Sequence, residues 1–248
     1  MAVGGDLGSS TWNELQDQLQ GQLPGRTVTL LVPVGSTEQH GPHLPLDTDT
    51  RVAQAMAQAM TDRLTRGGQV YGWFVAPAIS YGASGEHQSF AGTISIGTET
   101  LSLLLLEYGR SACCWAQRVV FVNGHGGNVP ALREAVRRLR SEGREVSWVP
   151  CATAGADPHA GHTETSLLLH LSPECVRLDR ALPGNGAPLA ELLPAMRAGG
   201  IAAVSAAGVL GDPTTATAGE GQRIFDEMVD GGLAAIATWT PGPDGMLR

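Results

Sequence analysis

Cysteine is scarce in this chain and positive charge is outnumbered. Four cysteines occur in 248 residues, Cys113, Cys114, Cys151 and Cys175, and none forms a C-x-x-C pair. That spacing argues against zinc–thiolate sites and against a disulfide framework, and reduced thiols in a cytoplasmic protein are expected. Lysine and arginine number 16 against 24 acidic residues, a formal net charge of −8. This balance disfavours a nucleic-acid groove or an anionic membrane surface as partner. The arginines that cluster, Arg133, Arg137, Arg138 and Arg140, fall on one predicted helix and read as its solvated face. No apolar run approaches a membrane span, Leu103–Leu106 being far too short. The first residues lack the basic start and apolar core of a signal peptide. No Ser/Pro-rich linker, repeat or low-complexity tract divides the sequence, so one domain over residues 1–248 is expected.

What is present is an alternation of apolar, β-rich runs with helical patterns. Thr27–Val34 lacks polar alternation and predicts a strand buried on both faces. Trp73–Ile79, Thr93–Ile96, Arg118–Asn123 and Val146–Pro150 read as further strands. Helices are predicted over Arg51–Arg66 with a stop at Gly67-Gly68, Thr98–Gln117, Val129–Glu142 with Asn128 as its cap, Thr163–Leu171 and Phe225–Thr238. Ala181–Gly221, rich in Gly, Pro and Ala, gives no clear pattern. The alternation predicts an α/β layered domain with a mostly parallel sheet.

Three clusters carry chemistry. The first follows the buried strand and holds Glu38, His40, His43, Asp47 and Asp49 within twelve residues. Gly41, Pro42 and Pro45 forbid a helix there, so the chain must fold back with its donors at the strand's C-terminal end. Mixed imidazole and carboxylate donors suit zinc, iron or manganese better than calcium. The second is Asn123-Gly-His125-Gly-Gly-Asn128, whose glycines let backbone and imidazole approach one small object. By itself it reads equally as a metal ligand, a phosphate cradle or a tight turn. The third is Asp157-Pro-His159-Ala-Gly-His162-Thr-Glu164, where Glu164 falls in the first turn of a helix, a place the helix dipole alone would favour. Together the clusters offer three carboxylates (Glu38, Asp49, Glu164) and two imidazoles (His40, His125), more than one ion needs. Two divalent ions sharing a carboxylate carry one charge in excess, which a bridging hydroxide would neutralise. Such a hydroxide exists at neutral pH because a metal lowers the pKa of its bound water to about 7.

The runs Gly35-Ser-Thr-Glu-Gln-His-Gly-Pro-His-Leu-Pro-Leu-Asp-Thr-Asp49, Asn123–Asn128 and His159-Ala-Gly-x-x-Glu164-Thr-Ser166 resemble the creatininase (creatinine amidohydrolase) family. The resemblance implies a layered α/β/α domain with a mostly parallel sheet, two divalent ions (Zn, Fe or Mn) per subunit and a homo-oligomer. It implies Glu38, His40, Asp49, His125 and Glu164 as ligands, with Asp49 rather than Asp47 as the bridge. It also implies His159 as the proton carrier. Creatininase proper has an aromatic residue and then a carboxylate after the second-motif histidine; here Gly126 and Gly127 stand there, which disfavours creatinine as substrate. Tyr81–Thr98, Asp157–Glu164, Val209–Ala216 and Pro243–Leu247 resemble the branch of the family that serves the mycofactocin system. That likeness implies a peptidase that cleaves a ribosomal precursor peptide near its C-terminus and releases a modified Val-Tyr unit. The step would be attack of the bridging hydroxide on the amide carbonyl. Ser84, Glu86 and His87, on a Gly-rich loop, are candidates for substrate contact or for supporting the ligands, together with Gly126 and Gly127. His43 and His162 are expected to hydrogen-bond to the ligands. The alternatives are a cyclic-amide or formamide hydrolase with the same centre, and a non-catalytic phosphate-binding module built on Gly124–Asn128. Against the module, no Lys or Ser/Thr follows the glycines as in a P-loop.

Overall fold

The computed structural model describes residues 3–20, 27–66 and 72–248. Its strands are β1 (Val3–Asp6), β2 (Val28–Val34), β3 (Gly72–Val75), β4 (Arg118–Asn123) and β5 (Val146–Pro150). They form one sheet in the order β1-β3-β2-β4-β5, and every pairing is parallel. The helices are α1 (Trp12–Gln20), α2 (Thr48–Arg66), α3 (Thr98–Ala112), α4 (Val129–Ser141), α5 (His162–Leu171), α6 (Leu189–Gly199) and α7 (Ala218–Thr238).

Both faces of the sheet are covered, and the pleat sorts the side chains between them. Val120 and Val122 of β4 pack with Leu31 of β2 against Met56, Leu168 and Met228, from α2, α5 and α7. Val119 and Phe121 pack with Leu30 and Val32 against Leu101, Leu105 and Leu132, from α3 and α4. The result is a layered α/β/α arrangement. All seven residues of β2 are buried, which explains a strand with no polar alternation. After β2 the chain moves to β3 on one side, then crosses back to β4 on the other. The topological switch therefore lies between β2 and β4, where ligands of open α/β sheets bind, at the carboxyl ends of the strands.

Several predicted elements differ from those observed. Thr93–Ile96 is not a strand: the Ile94 amide bonds Thr37 O and the Ile96 amide bonds Gly82 O, two separate segments that form no ladder. The strand predicted over Trp73–Ile79 stops at Val75, because Pro77 has no amide to give, and Ile79 makes only an isolated bridge to Val34. Helix α3 ends at Ala112 rather than Gln117, whose side-chain oxygen and backbone amide are both engaged by Val28. Asn128 does not cap α4 with its side chain, which is spent on tertiary bonds described below. Helix α2 begins at Thr48, three residues early, and its predicted stop at Gly67-Gly68 lies outside the described residues. Helix α7 begins at Ala218, where Thr217 Oγ1 accepts the Glu220 amide. Gly221 in its first turn lets α7 approach the Ser166 carbonyl of α5. Helices α1 and α6 and strand β1 carried no sequence signal strong enough to predict them.

Phe121 is wholly buried at the centre of β4. Phe121→Ala should lower unfolding free energy by about 3–5 kcal/mol through lost transfer energy and a residual cavity. A urea melt with an unchanged midpoint would contradict this packing.

Candidate metal centre

The three clusters leave the carboxyl ends of β2, β4 and β5, which are neighbours in the sheet. Close approaches at small residues hold the loops together. A side chain at Gly35 would strike the Thr50 backbone, and one at Gly124 would strike the Asp49 carbonyl. Asn128 ties the loops further: its Nδ2 donates to Gly35 O at 3.0 Å, and its Oδ1 accepts the Ala83 amide at 2.9 Å. Gly41, at φ +67°, turns the first loop in the left-handed region.

Asp49 is on the first turn of α2. Ser36 Oγ donates to its Oδ2 at 2.6 Å, and His40 Nε2 lies 3.0 Å from its Oδ1. His40 Nδ1 is 3.1 Å from the Glu38 carbonyl, an atom that can only accept, so Nδ1 carries the proton. Its Nε2 then faces Asp49 and, at 3.8 Å, Glu164 Oε2. An imidazole oriented in this way by a carbonyl behind it is a common arrangement of metal-binding histidines. His125 stands between Glu38 Oε2, 3.2 Å from its Nε2, and Asp49 Oδ2, 3.3 Å from its Nδ1. Glu164 opens α5 and accepts the Ala160 amide at 2.6 Å. The five residues expected as ligands thus converge, although 126 positions separate Glu38 from Glu164 in the sequence.

Glu38 is fully buried, and neither of its oxygens has a hydrogen bond of good geometry, although the Ser84 hydroxyl lies near enough to favour its charge. Burial pushes its pKa up to about 7. Burial likewise lifts Glu164 to about 7. Burial works against charge on His40 and His125 as well, but the carboxylates around them prevail, holding His40 near 10 and His125 near 9. Asp49 is driven well below its ordinary value because the two imidazoles outweigh its own burial. So many buried carboxylates demand positive charge, and an unbonded carboxylate in a dry interior calls for a cation. The donor set fits a divalent metal of the zinc, iron or manganese type.

His159 is the next residue inward. Its Nε2 donates to the Gln39 carbonyl at 2.9 Å, so Nδ1 keeps its lone pair and faces Glu38 Oε1 at 3.9 Å and Glu164 Oε2 at 4.0 Å. Burial and the neighbouring imidazoles hold its pKa well below the ordinary range, leaving the ring neutral. Ala160, the residue after it, has the unusual φ of +51°, and an antiparallel bridge to Leu210 holds the segment in place. His87 is also at the centre, with Nε2 3.3 Å from Glu38 Oε1. The Gln39 amide nitrogen donates to His87 Nδ1 at 2.9 Å and to the Gly208 carbonyl at 3.0 Å. Gln39 therefore fixes both histidines. Sequence reasoning passed over it, although it stands between two predicted ligands.

Ser84 is buried with Oγ 3.5 Å from His125 Nε2, and Glu86 Oε1 is at the same distance. His43 bonds Thr165 Oγ1 at 2.9 Å and so anchors α5 next to Glu164. His162 lies away from the centre, bonded to Thr215, and the expectation that it supports a ligand is not met. Asp47 is also outside, paired with Arg51 at 2.7 Å. A cavity of about 330 Å³ opens onto the centre. Asp49, His125, His159 and Glu164 line one side, and Leu193, Met196 and Ile201 of α6 and the turn after it line the other.

The family model for creatinine amidohydrolase matches residues 9–236. The chain belongs to the creatininase family. It is 66% identical to the mycofactocin precursor peptide peptidase of Mycobacterium ulcerans, over 98% of this chain and 95% of that protein. Among solved structures it resembles a manganese creatininase with a TM-score of 0.76 at 27% identity, covering 96% of this chain and 99% of that one. A mutant creatininase of Zn-Zn type matches with the same TM-score and identity, over 96% and 98% of the two chains. Hydrolase chemistry is thus common to the relatives. No helix among the described residues is long and apolar enough to cross a membrane.

His40 and His125 carry protons at neutral pH when no cation is present, and a metal must displace them. Metal affinity should therefore rise with pH, by roughly tenfold per unit for each proton released, and level off above about 9–10. Chelator competition across pH 6 to 9 measures this, and a flat profile would contradict it. His125→Ala and Glu164→Ala should each lower the metal content of dialysed protein.

Proposed function

We propose that this chain is a metal-dependent peptidase that cleaves the mycofactocin precursor peptide near its C-terminus, releasing the modified Val-Tyr unit. The observation that carries the reading is the convergence of Glu38, His40, Asp49, His125 and Glu164, the last three lining one cavity, in a chain 66% identical to a peptidase of that name. Those five residues would hold two divalent ions, with Asp49 between them, and the whole of residues 1–248 would act as one hydrolase domain. Bound there, the ions would supply an ionised solvent nucleophile and polarise the scissile carbonyl.

The remaining work falls to the chain's own groups. His159 Nδ1, proton-free at neutral pH, faces the gap between Glu38 and Glu164. From there it would accept a proton from the attacking solvent and pass it to the departing amine, a role typically contributing about 10²–10⁴-fold. The Gln39 carbonyl keeps the ring's other nitrogen protonated, so Nδ1 is the atom that exchanges. Gly126 leaves the cavity wall open, since a β-carbon there would meet nothing within 4 Å. The apolar side of the cavity suits aliphatic or aromatic side chains flanking the scissile bond, and excludes water from it. His43 and His87 would brace Glu164 and Glu38.

Four free cysteines fit a reducing compartment, so we place the enzyme in the cytoplasm. Exposed Leu103 and Leu104 on α3 support self-association into a homo-oligomer. The precursor peptide is the one partner proposed beyond that.

Mass spectrometry of modified and unmodified precursor peptide, incubated with metal-loaded protein, should show loss of the C-terminal two-residue unit. His159→Ala should reduce kcat by about 10²–10⁴-fold while keeping full metal content. A protein that hydrolyses a formamide or creatinine but leaves both peptides intact would overturn the peptidase reading in favour of a small-amide hydrolase.

A further inference from the structure

A second cavity, of about 190 Å³, also opens onto the centre, between the loop after β5 and helices α2, α5 and α7. Val52, Leu167 and Met228, buried residues of those three helices, make its inner wall. Thr153, Asp157 and Thr163 supply its polar part. The larger cavity described above has its own apolar wall, from α6 and the turn after it. Asp49, Gly124, Gly126, Pro158 and Glu164 line both, so the two cavities meet over carboxylates of the centre. A cavity of roughly 150 Å³ accommodates benzene, so the smaller one admits a single ring-sized side chain and little more.

The second observation concerns the glycines at this junction. A β-carbon at Gly124 would lie 2.4 Å from the Asp49 carbonyl oxygen, and one at Gly127 would lie 2.3 Å from the Ala83 carbonyl oxygen. Both positions need glycine for the fold. Gly126, between them, does not. A β-carbon there would meet nothing within 4 Å among the described residues, and its φ lies outside the left-handed region. It opens the 3-10 turn Gly126–Asn128, a conformation that other residues adopt readily. Glycine at such a site lowers stability relative to alanine, because it enlarges the unfolded ensemble. The fold gives no return for that cost, and the position lies where both cavities meet, next to His125.

We propose that the smaller cavity is a second substrate subsite, which takes one apolar side chain from one side of the scissile bond while the larger cavity holds the other side, and that Gly126 is the passage between them. The assignment rests on the peptidase reading above and deepens it. An amide within a peptide carries bulk on both sides of its carbonyl, and each cavity alone gives room on one. Laid across the junction, the scissile amide passes over Asp49 and Glu164, the two residues of the centre that line both cavities. The wall of Val52, Leu167 and Met228 suits an aliphatic or aromatic group, and a charged one would lose its hydration against it.

The test reads zinc content, melting temperature and kcat/KM on the modified precursor peptide. In the series Gly126→Ala, Gly126→Val and Gly126→Leu, zinc content should stay at the wild-type level and Gly126→Ala should melt no lower than wild type. The value of kcat/KM should fall with side-chain size, by about tenfold or more at leucine. Ala152 and Ala156 are exposed and line only the smaller cavity, so Ala152→Phe combined with Ala156→Phe narrows it without touching the centre or Gly126. That double variant should also lose about tenfold or more in kcat/KM with zinc content unchanged. Wild-type kcat/KM in the double variant overturns the second subsite. Wild-type kcat/KM in Gly126→Leu, or loss of zinc from it, overturns the passage. A wild-type protein that leaves the peptide intact instead overturns the peptidase reading on which both rest.

Discussion

A fully buried glutamate without a well-formed hydrogen bond sets the terms for this molecule. Glu38 leaves the end of the central strand and is enclosed by imidazoles, with His87 and His125 at 3.3 and 3.2 Å. Burial without compensation would cost several kcal/mol, more than most single interactions return. The surrounding structure is arranged around that cost. Histidines are drawn in, their tautomers are fixed by the carbonyls of Glu38 and Gln39, and a bound cation would complete the balance. Without a cation, protons on His40 and His125 serve in its place.

The parallel sheet makes this convergence possible. In such a sheet every strand delivers its following loop to the same edge, and the switch between β2 and β4 opens a crevice there. The loops then interlock where a side chain would not fit, at Gly35, Gly124 and Gly127. Asn128, buried between them, joins the loop after β2 to that after β3. Rigidity of this kind keeps donor atoms within a few tenths of an ångström of useful geometry, as a multi-ligand site requires.

The motifs shared with the family lie at the centre, and the cavity's apolar wall comes from another part of the chain. The carboxylates and imidazoles lie on the sheet side of the cavity, whereas Leu193 and Met196 come from α6, in a Gly- and Pro-rich stretch. Chemistry and selectivity are thus carried by different parts of the chain. The wall can vary without disturbing the ligands, which is how one hydrolytic centre can serve substrates as different as creatinine and a peptide.

Much of the centre was legible in the sequence because its ligand types and spacings are local: Glu38 with His40, and His159 with Glu164, lie within a few residues of one another. Strand β2 and helix α4 were legible for the same reason, since an unbroken apolar run and a 3.6-residue period need no distant partner to be recognised. Thr93–Ile96 misled, because β-branched composition says nothing about whether a neighbouring strand is there to receive the amides. Helix α6 escaped notice because Pro194 and its Gly- and Ala-rich surroundings hide a helix that tertiary packing sustains. The roles of Gln39 and Asn128 were decided only in three dimensions. Each depends on which backbone carbonyl or side chain from a distant loop comes within 3 to 4 Å, and sequence spacing carries no record of such distances.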